Sequence, residues 1–221
     1  MDLMEAICAR HSVRAYTDRP VARDAADALR REIEICNREG GLHIQLVTDE
    51  PAAFSGMMAH YGKFSGVRNY IALVGKKSTE LDEKLGYYGE RLALLAQTLG
   101  LNTCWVAMSY SKGKARVEVA PGEKLRIVLA LGYGETQGVP HKGKNLSEVC
   151  RVEGTMPDWF RSGMEAALLA PTAMNQQKFR FTLLPDGVRA ESTGGFYSKV
   201  DLGIVKYHFE LGAGCENFQW K

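Results

Sequence analysis

Hydrophobic and polar residues alternate along this chain with two different periods, one typical of helices and one typical of strands. Five stretches place apolar side chains three or four positions apart, as an amphipathic helix requires. In the first stretch, Asp2 and Glu5 have the spacing of a capping box, and Gly100 and Gly212 are expected to end two of the others. The predicted helices cover residues 3–9, 22–37, 81–99, 157–170 and 200–211.

Shorter stretches have the two-residue alternation or the continuous apolar character of β-strands. Residues 42–47 and 178–184 alternate apolar with polar side chains, whereas residues 70–74 are uniformly apolar, which indicates a strand buried on both faces. Further strands are predicted at 103–106, 124–131 and 218–220, with irregular segments at 52–69 and 109–117 and a polar connection at 137–155. Strands and helices are therefore interspersed along most of the chain.

The chain has two parts in which these features follow the same order. Each part runs from a helix through a strand and a turn to a second helix, which a glycine ends, and then to an aromatic strand. Leu99-Gly100 in the first part matches Leu211-Gly212 in the second. We therefore predict an internal duplication, with a first half at residues 1–150 and a shorter second half, intertwined with it, at residues 151–221. The alternative is a chance similarity of two helix–strand units.

Composition and charge narrow the class of protein. The 221 residues amount to one large domain or two small intertwined ones, and the net charge of +2 gives no reason to expect a nucleic acid or an anionic membrane as partner. The five cysteines are odd in number and include no C-x-x-C pair, which favours free thiols in a reducing cytoplasm over disulfides or a zinc site. No signal peptide is expected at the acidic start, and no apolar stretch has the length of a membrane span.

The residues from Arg10 to Arg14 combine two guanidinium groups, an imidazole and a hydroxyl. Guanidinium groups bind phosphate and other oxyanions well because their N–H donors form a planar fork. A site for an anionic ligand is one interpretation of this stretch, and a solvated basic turn is the other.

Three later segments favour the first interpretation. Residues 99–105 join the end of the long helix to an aromatic strand, residues 142–144 carry two lysines around a glycine, and residues 170–177 read Ala-Pro-Thr-Ala-Met-Asn-Gln-Gln. The chain has no motif for a nucleophilic serine, a phosphate-binding loop or a zinc protease, and its histidines lack the spacing of metal ligands. We therefore expect neither a catalytic side chain nor a bound metal.

Together with Arg10–Arg14, these segments resemble motifs of the FMN-dependent nitroreductase family, and the resemblance covers most of the chain. It implies an α+β fold in which a mixed, mainly antiparallel sheet is flanked by helices. It also implies that Arg10 and Ser12 contact the phosphate and ribityl chain of FMN and that His11 belongs to the same site. Arg14 would lie beside the N1/O2 edge of the flavin, where a positive charge stabilises the reduced form.

The same resemblance assigns two further segments to FMN. Lys142 and Lys144 match a basic pair that contacts the phosphate in the family. The main chain around Val106 and Ala107 matches the strand that approaches the flavin pyrimidine and N5. The side chains on that strand matter little for such a contact, which suits its apolar sequence.

The segment at residues 170–177 resembles the family stretch A-P-S-x-x-N-x-Q-P-W. The resemblance assigns four of its residues to the cofactor site: Pro171, Thr172, Ala173 and Asn175. The chain departs from the family pattern directly afterwards, because Lys178 and Phe179 stand where the family has proline and tryptophan.

The place of this stretch in the chain also differs from the family, in which it lies near the N-terminus. Nitroreductases are usually homodimers with FMN between the subunits, each subunit giving one of the two motifs. A fused pseudo-dimer would need only one motif in each half. We therefore expect one FMN per chain, between the halves, and a chain that acts as a monomer, with a homodimer as the alternative.

The implied function is that of an FMN-dependent oxidoreductase. Electrons would pass from NAD(P)H through the flavin to an electron-poor acceptor such as a nitroaromatic compound or a quinone, and the cofactor would carry the chemistry. Two alternatives stay open. One is a relative with other flavin chemistry, such as reductive dehalogenation or flavin breakdown. The other is a non-catalytic flavin-binding protein with a degenerate pocket, which the departures at Lys178 and Phe179 would explain.

Overall fold

The structure is a computed structural model that describes the whole chain from Met1 to Lys221. All five predicted helices are present, and two single-turn helices add to them. In chain order the elements are α1 (Leu3–Ala9), α2 (Arg23–Gly40), β1 (Gln45–Val47), α3 (Met57–Tyr61), β2 (Asn69–Lys76), α4 (Leu81–Thr98), β3 (Asn102–Val106), β4 (Glu123–Gly132), α5 (Leu146–Val149), β5 (Cys150–Arg151), α6 (Asp158–Leu168), β6 (Phe179–Leu184), β7 (Gly187–Ser192) and α7 (Ser198–Ala213).

Four strands form an antiparallel sheet in the order β1-β2-β4-β3. The sheet is covered on both faces, as the uniformly apolar β2 predicts. Ile71 and Leu73 belong to the main hydrophobic core, which the long helices share, whereas Tyr70 and Ala72 pack into a second core on the opposite face. Alternate residues of one strand therefore serve two cores, because successive side chains of a strand point to opposite faces.

The remaining strands form a second sheet in the order β5-β6-β7. β6 and β7 are an antiparallel hairpin, and β5 joins the edge of β6 in parallel. The main core of 30 buried residues extends from α2 to α7, so the first and last parts of the chain share one interior. These observations confirm the α+β class with mainly antiparallel strands.

The two long helices α4 and α7 pack against each other through glycines. A Cβ atom on Gly86 would lie 2.0 Å from the Val200 carbonyl oxygen, and a Cβ on Gly203 would lie 1.9 Å from the Glu83 carbonyl oxygen. Any side chain at either position would clash with the backbone of the other helix. The helices approach this closely only because both residues lack a Cβ atom.

The structure corrects two predicted boundaries in the last part of the chain. Gly212 does not end a helix: α7 continues to Ala213, and Gly214, with a φ of +76°, ends it. Gly212 instead faces α6, where a Cβ would lie 2.6 Å from the Ser162 carbonyl oxygen. The strand predicted at 218–220 is reduced to one bridge, between Trp220 and Val188.

The loops are more ordered than their composition predicts. The polar connection at 137–155 contains α5 and β5, and α5 begins with a capping box formed by Asn145 and Glu148. The irregular segment at 52–69 contains α3. Of the strand predicted at 42–47, only Gln45–Val47 forms β1, and Leu42 makes a single bridge to Gly75. The strand β7 has no counterpart in the predicted elements. None of the helices combines the length and the hydropathy that a membrane span requires.

Candidate functional site

One cavity brings together segments that are far apart in the sequence. It contains about 550 Å³ of empty space, including the part open to solvent. Five segments line it: residues 10–14 (here called the first motif), the end of β3, one residue of β4, the 171–174 segment and the start of α7. The lining residues are Ser12, Arg14, Cys104, Trp105, Ala107, Ile127, Pro171, Thr172, Ala173, Met174, Tyr197, Val200, Asp201 and Ile204.

The first motif is an extended turn that follows α1. Ser12 forms a parallel bridge with Thr103, in which the Val13 N–H donates to the Thr103 carbonyl at 3.1 Å, so the turn is fixed to β3. Ser12 and Arg14 line the cavity, and the Arg14 guanidinium lies 5.9 Å from the centroid of the Phe64 ring. The alternation of an extended chain places these two residues on the same side of the turn.

Arg10 has a different environment from the other residues of its motif. It is buried and does not line the cavity, and its Nε lies 3.4 Å from Glu90 Oε1. Two atoms of this guanidinium, Nε and Nη1, are buried without a hydrogen-bond partner. Arg10 therefore keeps unused donors in the interior, next to the turn that carries Ser12.

Glu90 joins several polar groups behind the cavity wall. Trp105 Nε1 donates to one carboxylate oxygen at 2.8 Å, and His208 Nε2 lies 3.0 Å from the other. Burial raises the pKa of Glu90, but the hydrogen bond from His208 and the charge of Arg10 outweigh burial, and the pKa lies below its ordinary value. Glu90 is therefore an ionised group that compensates buried positive charge and orients the indole ring of Trp105.

The 171–177 segment adopts an uncommon backbone conformation. Met174, Asn175 and Gln177 all have positive φ values between 45° and 52°, in the left-handed region that non-glycine residues rarely adopt. Hydrogen bonds hold this shape, and one of them runs from the Gln177 N–H to Thr172 Oγ1 at 3.1 Å. The strained backbone turns Pro171, Thr172 and Ala173 toward the cavity.

Asp201 on α7 fastens this segment and also lines the cavity. The Ala173 N–H donates to Asp201 Oδ1 at 2.9 Å, and Gln176 Nε2 donates to Oδ2 at 2.8 Å. Burial raises the pKa of Asp201 to about 6, and the two hydrogen bonds counteract it in part. The motif comparison missed this residue, whose one available signal was an acid between the apolar residues Val200 and Leu202 in the first turn of a helix.

The two lysines of residues 142–144 are held against the same segment. The Lys142 carbonyl accepts hydrogen bonds from Asn175 Nδ2 at 2.9 Å and from Gln177 Nε2 at 2.8 Å. The Lys144 ammonium donates to the Gln177 carbonyl at 2.9 Å. Asn175 thus acts here as a link between two loops, and the Lys142 side chain is exposed.

The remaining predicted residues have mixed positions. Ala107 lines the cavity, whereas its neighbour Val106 is buried in the second core. His11 lies next to Gly138, where a Cβ would come within 2.7 Å of the His11 Cβ atom. Burial lowers the pKa of His11, and the nearby charges of Arg10 and His141 lower it further. His11 therefore belongs to the positively charged surroundings of the first motif.

The sequence matches a family described as "Putative TM nitroreductase" over residues 2–213. The chain belongs to this nitroreductase family. A comparison with curated proteins found no match.

Solved structures of nitroreductases have the same fold. A "putative nitroreductase" from Thermotoga maritima is similar with a TM-score of 0.66 and 21% identity, over 96% of this chain and 83% of that chain. A "Putative NADH dehydrogenase/NAD(P)H nitroreductase" from Parabacteroides distasonis has a TM-score of 0.53 and 23% identity, over 66% of this chain and 95% of that chain. A "putative nitroreductase in complex with fmn" from Desulfovibrio desulfuricans has a TM-score of 0.55 and 17% identity, over 71% and 99%.

These relatives agree with the nitroreductase-like arrangement of helices around an antiparallel sheet. Within it, the three segments assigned from the resemblance lie together, although they are widely separated in the sequence. Of the twelve predicted cofactor residues, six line the cavity: Ser12, Arg14, Ala107, Pro171, Thr172 and Ala173. The others lie behind or beside it: Arg10, His11, Val106, Lys142, Lys144 and Asn175.

Proposed function

We propose that this nitroreductase binds FMN in the cavity and passes electrons from NAD(P)H to an electron-poor acceptor such as a nitroaromatic compound or a quinone. One observation carries the proposal. Ser12 and Arg14 belong to the first motif, and Pro171, Thr172 and Ala173 belong to the second motif, which is the 171–177 segment. Both motifs line the same cavity. These are the two motifs that the resemblance assigns to opposite sides of FMN.

Buried polar groups behind the first motif, outside the cavity lining, suit an anionic ligand rich in oxygen atoms. Arg10 has two buried nitrogen atoms without partners, and the buried Thr103 hydroxyl next to Ser12 also lacks one. Unpaired buried donors are costly, and phosphate or ribityl oxygens could accept from them. The relative from Desulfovibrio desulfuricans, which is described in complex with FMN, adds support at the level of the fold.

In this proposal each segment has its own task. Ser12 and Arg10 bind the phosphate and ribityl groups together with Lys142 and Lys144, and the Arg14 guanidinium neutralises negative charge on the reduced cofactor. When bound, FMN supplies the electron-transfer chemistry, so the protein needs only to bind it, orient it and admit its partners. No side chain has to act as nucleophile or general base.

We further propose that residues 1–150 and 151–221 form a pseudo-dimer with one FMN between them. The order α2–β1–β2–α4, in which α3 is inserted between the two strands, is paralleled by α6–β6–β7–α7, and both strand pairs are antiparallel. Gly86 is the sixth residue of α4, and Gly203 is the sixth residue of α7. Gly86 faces Val200, three residues before Gly203, and Gly203 faces Glu83, three residues before Gly86. This reciprocal contact is the pattern that a two-fold relation produces. The boundary between the halves falls within β5, which pairs with β6.

The first experiment is an absorbance spectrum of the purified protein with FMN, recorded before and after addition of NADPH or NADH under nitrogen. Bound flavin that bleaches supports the proposal. Bound flavin that stays yellow with both nucleotides would indicate a flavin-binding protein without this activity. Failure to bind FMN would overturn the proposal at its first step.

Substitutions test the assigned residues directly. We expect Asn175→Ala, and the double variant Lys142→Ala/Lys144→Ala, to weaken FMN binding while the circular dichroism spectrum is unchanged. Asn175→Ala removes the link between the two loops, whereas the lysine variant removes positive charge. Arg31→Ala/Arg38→Ala, two exposed changes on α2, controls for the loss of charge. Equal FMN affinity in all variants would remove the site assignment.

A further inference from the structure

A second open concavity, here called the lysine groove, is lined by Lys77, Lys124, Arg126 and Lys199 and contains about 1190 Å³ of empty space, including the part open to solvent. Its basic residues come from three elements: the end of β2 with the following turn, β4, and the start of α7. The three lysines are exposed. The proposed FMN site uses none of these residues.

The groove has an excess of positive charge because four basic residues line it together with only two acids. Asp82 accepts both hydrogen bonds of a bidentate pair from Arg126, at 2.7 and 2.9 Å, and Glu123 is paired with His43 at 2.8 Å. None of the three lysines forms an ion pair. The acids around the groove are bound to other side chains: Glu123 to His43, Glu80 to Lys84, Asp82 to Arg126 and Glu83 to Lys206.

The surroundings of the groove add to this positive charge. Lys112 belongs to the loop beside β4, and its ammonium donates to the Leu125 carbonyl at 3.3 Å. Burial lowers the pKa of Lys112, and the charges of Lys124 and Arg126 lower it further. The cations of the groove therefore outnumber its two protein anions, Asp82 and Glu123, and a bound anion would relieve the repulsion among them.

The lysine groove lies next to the cavity. The Arg126 guanidinium carbon lies 4.2 Å from the centroid of the Tyr197 ring, and that ring lines the cavity. The chain also passes directly from one site to the other on both sides, since Arg126 is followed by Ile127 and Lys199 by Val200. Tyr197 and Arg126 thus form the partition between a mainly apolar cavity and a cationic groove.

We propose that the lysine groove binds the phosphate groups of the reduced pyridine nucleotide, while its nicotinamide ring reaches past Tyr197 into the cavity. This inference rests on the proposed function and deepens it. A flat ring linked to two phosphates matches an apolar cavity next to a row of ammonium groups. Lys142 and Lys144 lie against the 171–177 segment and do not line the groove, so the two sets of phosphates have separate sites.

The test uses Lys77→Gln/Lys124→Gln/Lys199→Gln, with Arg31→Gln/Arg38→Gln/Arg161→Gln as a control that removes the same charge from exposed positions elsewhere. Calorimetric titration with ADP, in the presence of excess FMN, measures binding of the phosphates without catalysis. Each exposed ammonium–phosphate contact changes a dissociation constant by about two- to fivefold. We therefore expect the groove variant to bind ADP about tenfold more weakly and the control to bind it unchanged.

A kinetic comparison separates binding of the nucleotide from reduction of the flavin. The KM for NADPH should rise in the groove variant, whereas the rate with 1-benzyl-1,4-dihydronicotinamide, which has the reactive ring but no phosphate, should equal that of the control variant. Equal ADP affinity in all variants would overturn the inference. Loss of ADP binding in Lys142→Gln/Lys144→Gln but not in the groove variant would also overturn it.

The ADP titration remains decisive if the proposed function fails. If no variant binds FMN, or if bound flavin is not reduced, the proposed oxidoreductase activity is wrong. The affinity for ADP alone still shows whether the three lysines form a phosphate site. Salt should weaken ADP binding to the unchanged protein more strongly than to the groove variant, because only the former makes the ion contacts.

Discussion

Glu90 is the residue on which the buried polar groups behind the cavity depend. Its carboxylate oxygens accept from Trp105 and His208 and face Arg10, and none of its side chain reaches solvent. Removing one partner from a buried charge pair costs about 3–5 kcal/mol, because the remaining charge stays in the interior without compensation. We expect Glu90→Gln to lower the free energy of unfolding by that amount, measured by urea denaturation.

The matched control is Glu34→Gln on the exposed face of α2, where the side chain makes no ion pair. It should change the free energy of unfolding by less than about 0.5 kcal/mol. If the two variants were equally stable, the buried carboxylate would not be compensating Arg10, and the role given to this cluster would be wrong.

Asp201 makes stability depend on pH in an unusual direction. Because burial raises its pKa from 3.8 to about 6, the folded protein keeps a proton that the unfolded chain has released between these values. The Asp201 contribution to stability is therefore full below the unfolded pKa and falls as pH rises to about 6. A shift of about two units corresponds to about 3 kcal/mol.

Asp201→Asn removes this titration while it leaves an oxygen to accept from the Ala173 N–H. When the pH is raised from 4 to 7, the free energy of unfolding of the unchanged protein should fall by up to about 3 kcal/mol relative to that of this variant. Urea unfolding at pH 4 and at pH 7 measures this difference. The two proteins share all other titrating groups, so the contributions of those groups cancel in the difference between the two free energies of unfolding. A constant difference across this range would show that Asp201 titrates at its ordinary value.

At the scale of elements, local sequence patterns predict helices well and contacts between elements poorly. The capping box of Asp2 and Glu5 is present as predicted, because both of its hydrogen bonds are local. The end of α7 was predicted wrongly because a glycine that ends a helix and one that lets another helix approach look the same in a sequence. Gly212 faces α6, and Gly214 has the positive φ.

The contact between α4 and α7 gives the sharpest prediction at this scale. Gly203→Ala would place a Cβ 1.9 Å from the Glu83 carbonyl oxygen, so one helix must move. Overpacking of this kind costs about 3 kcal/mol, and we expect that loss in the free energy of unfolding together with weaker FMN binding, since α7 carries Asp201. Gly113→Ala, which meets no atom within 4 Å, should leave both quantities unchanged. Normal stability in Gly203→Ala would mean that the helices are farther apart.

At the scale of the whole molecule, sequence motifs identified segments that line one cavity but not their geometry. Ser12, Thr172 and Ala107 were assigned because motif residues keep recognisable spacings, and they lie in one cavity. Asp201 and the residues of the lysine groove were missed because they converge only through tertiary packing. Arg10 shows the same difficulty, since its burial against Glu90 depends on a helix that lies far along the sequence.

The pseudo-dimer leads to a prediction about assembly. If both halves of a cofactor site lie within one chain, a second chain adds nothing that FMN binding needs. We therefore expect light scattering to give one chain of 24.4 kDa with FMN bound, and titration to give one FMN per chain. Dilution below any dimer dissociation constant should leave FMN affinity unchanged. Two FMN per chain, or FMN that dissociates as a dimer separates, would contradict the proposal, because the site would then lie between chains, as in the usual homodimers that the resemblance implies.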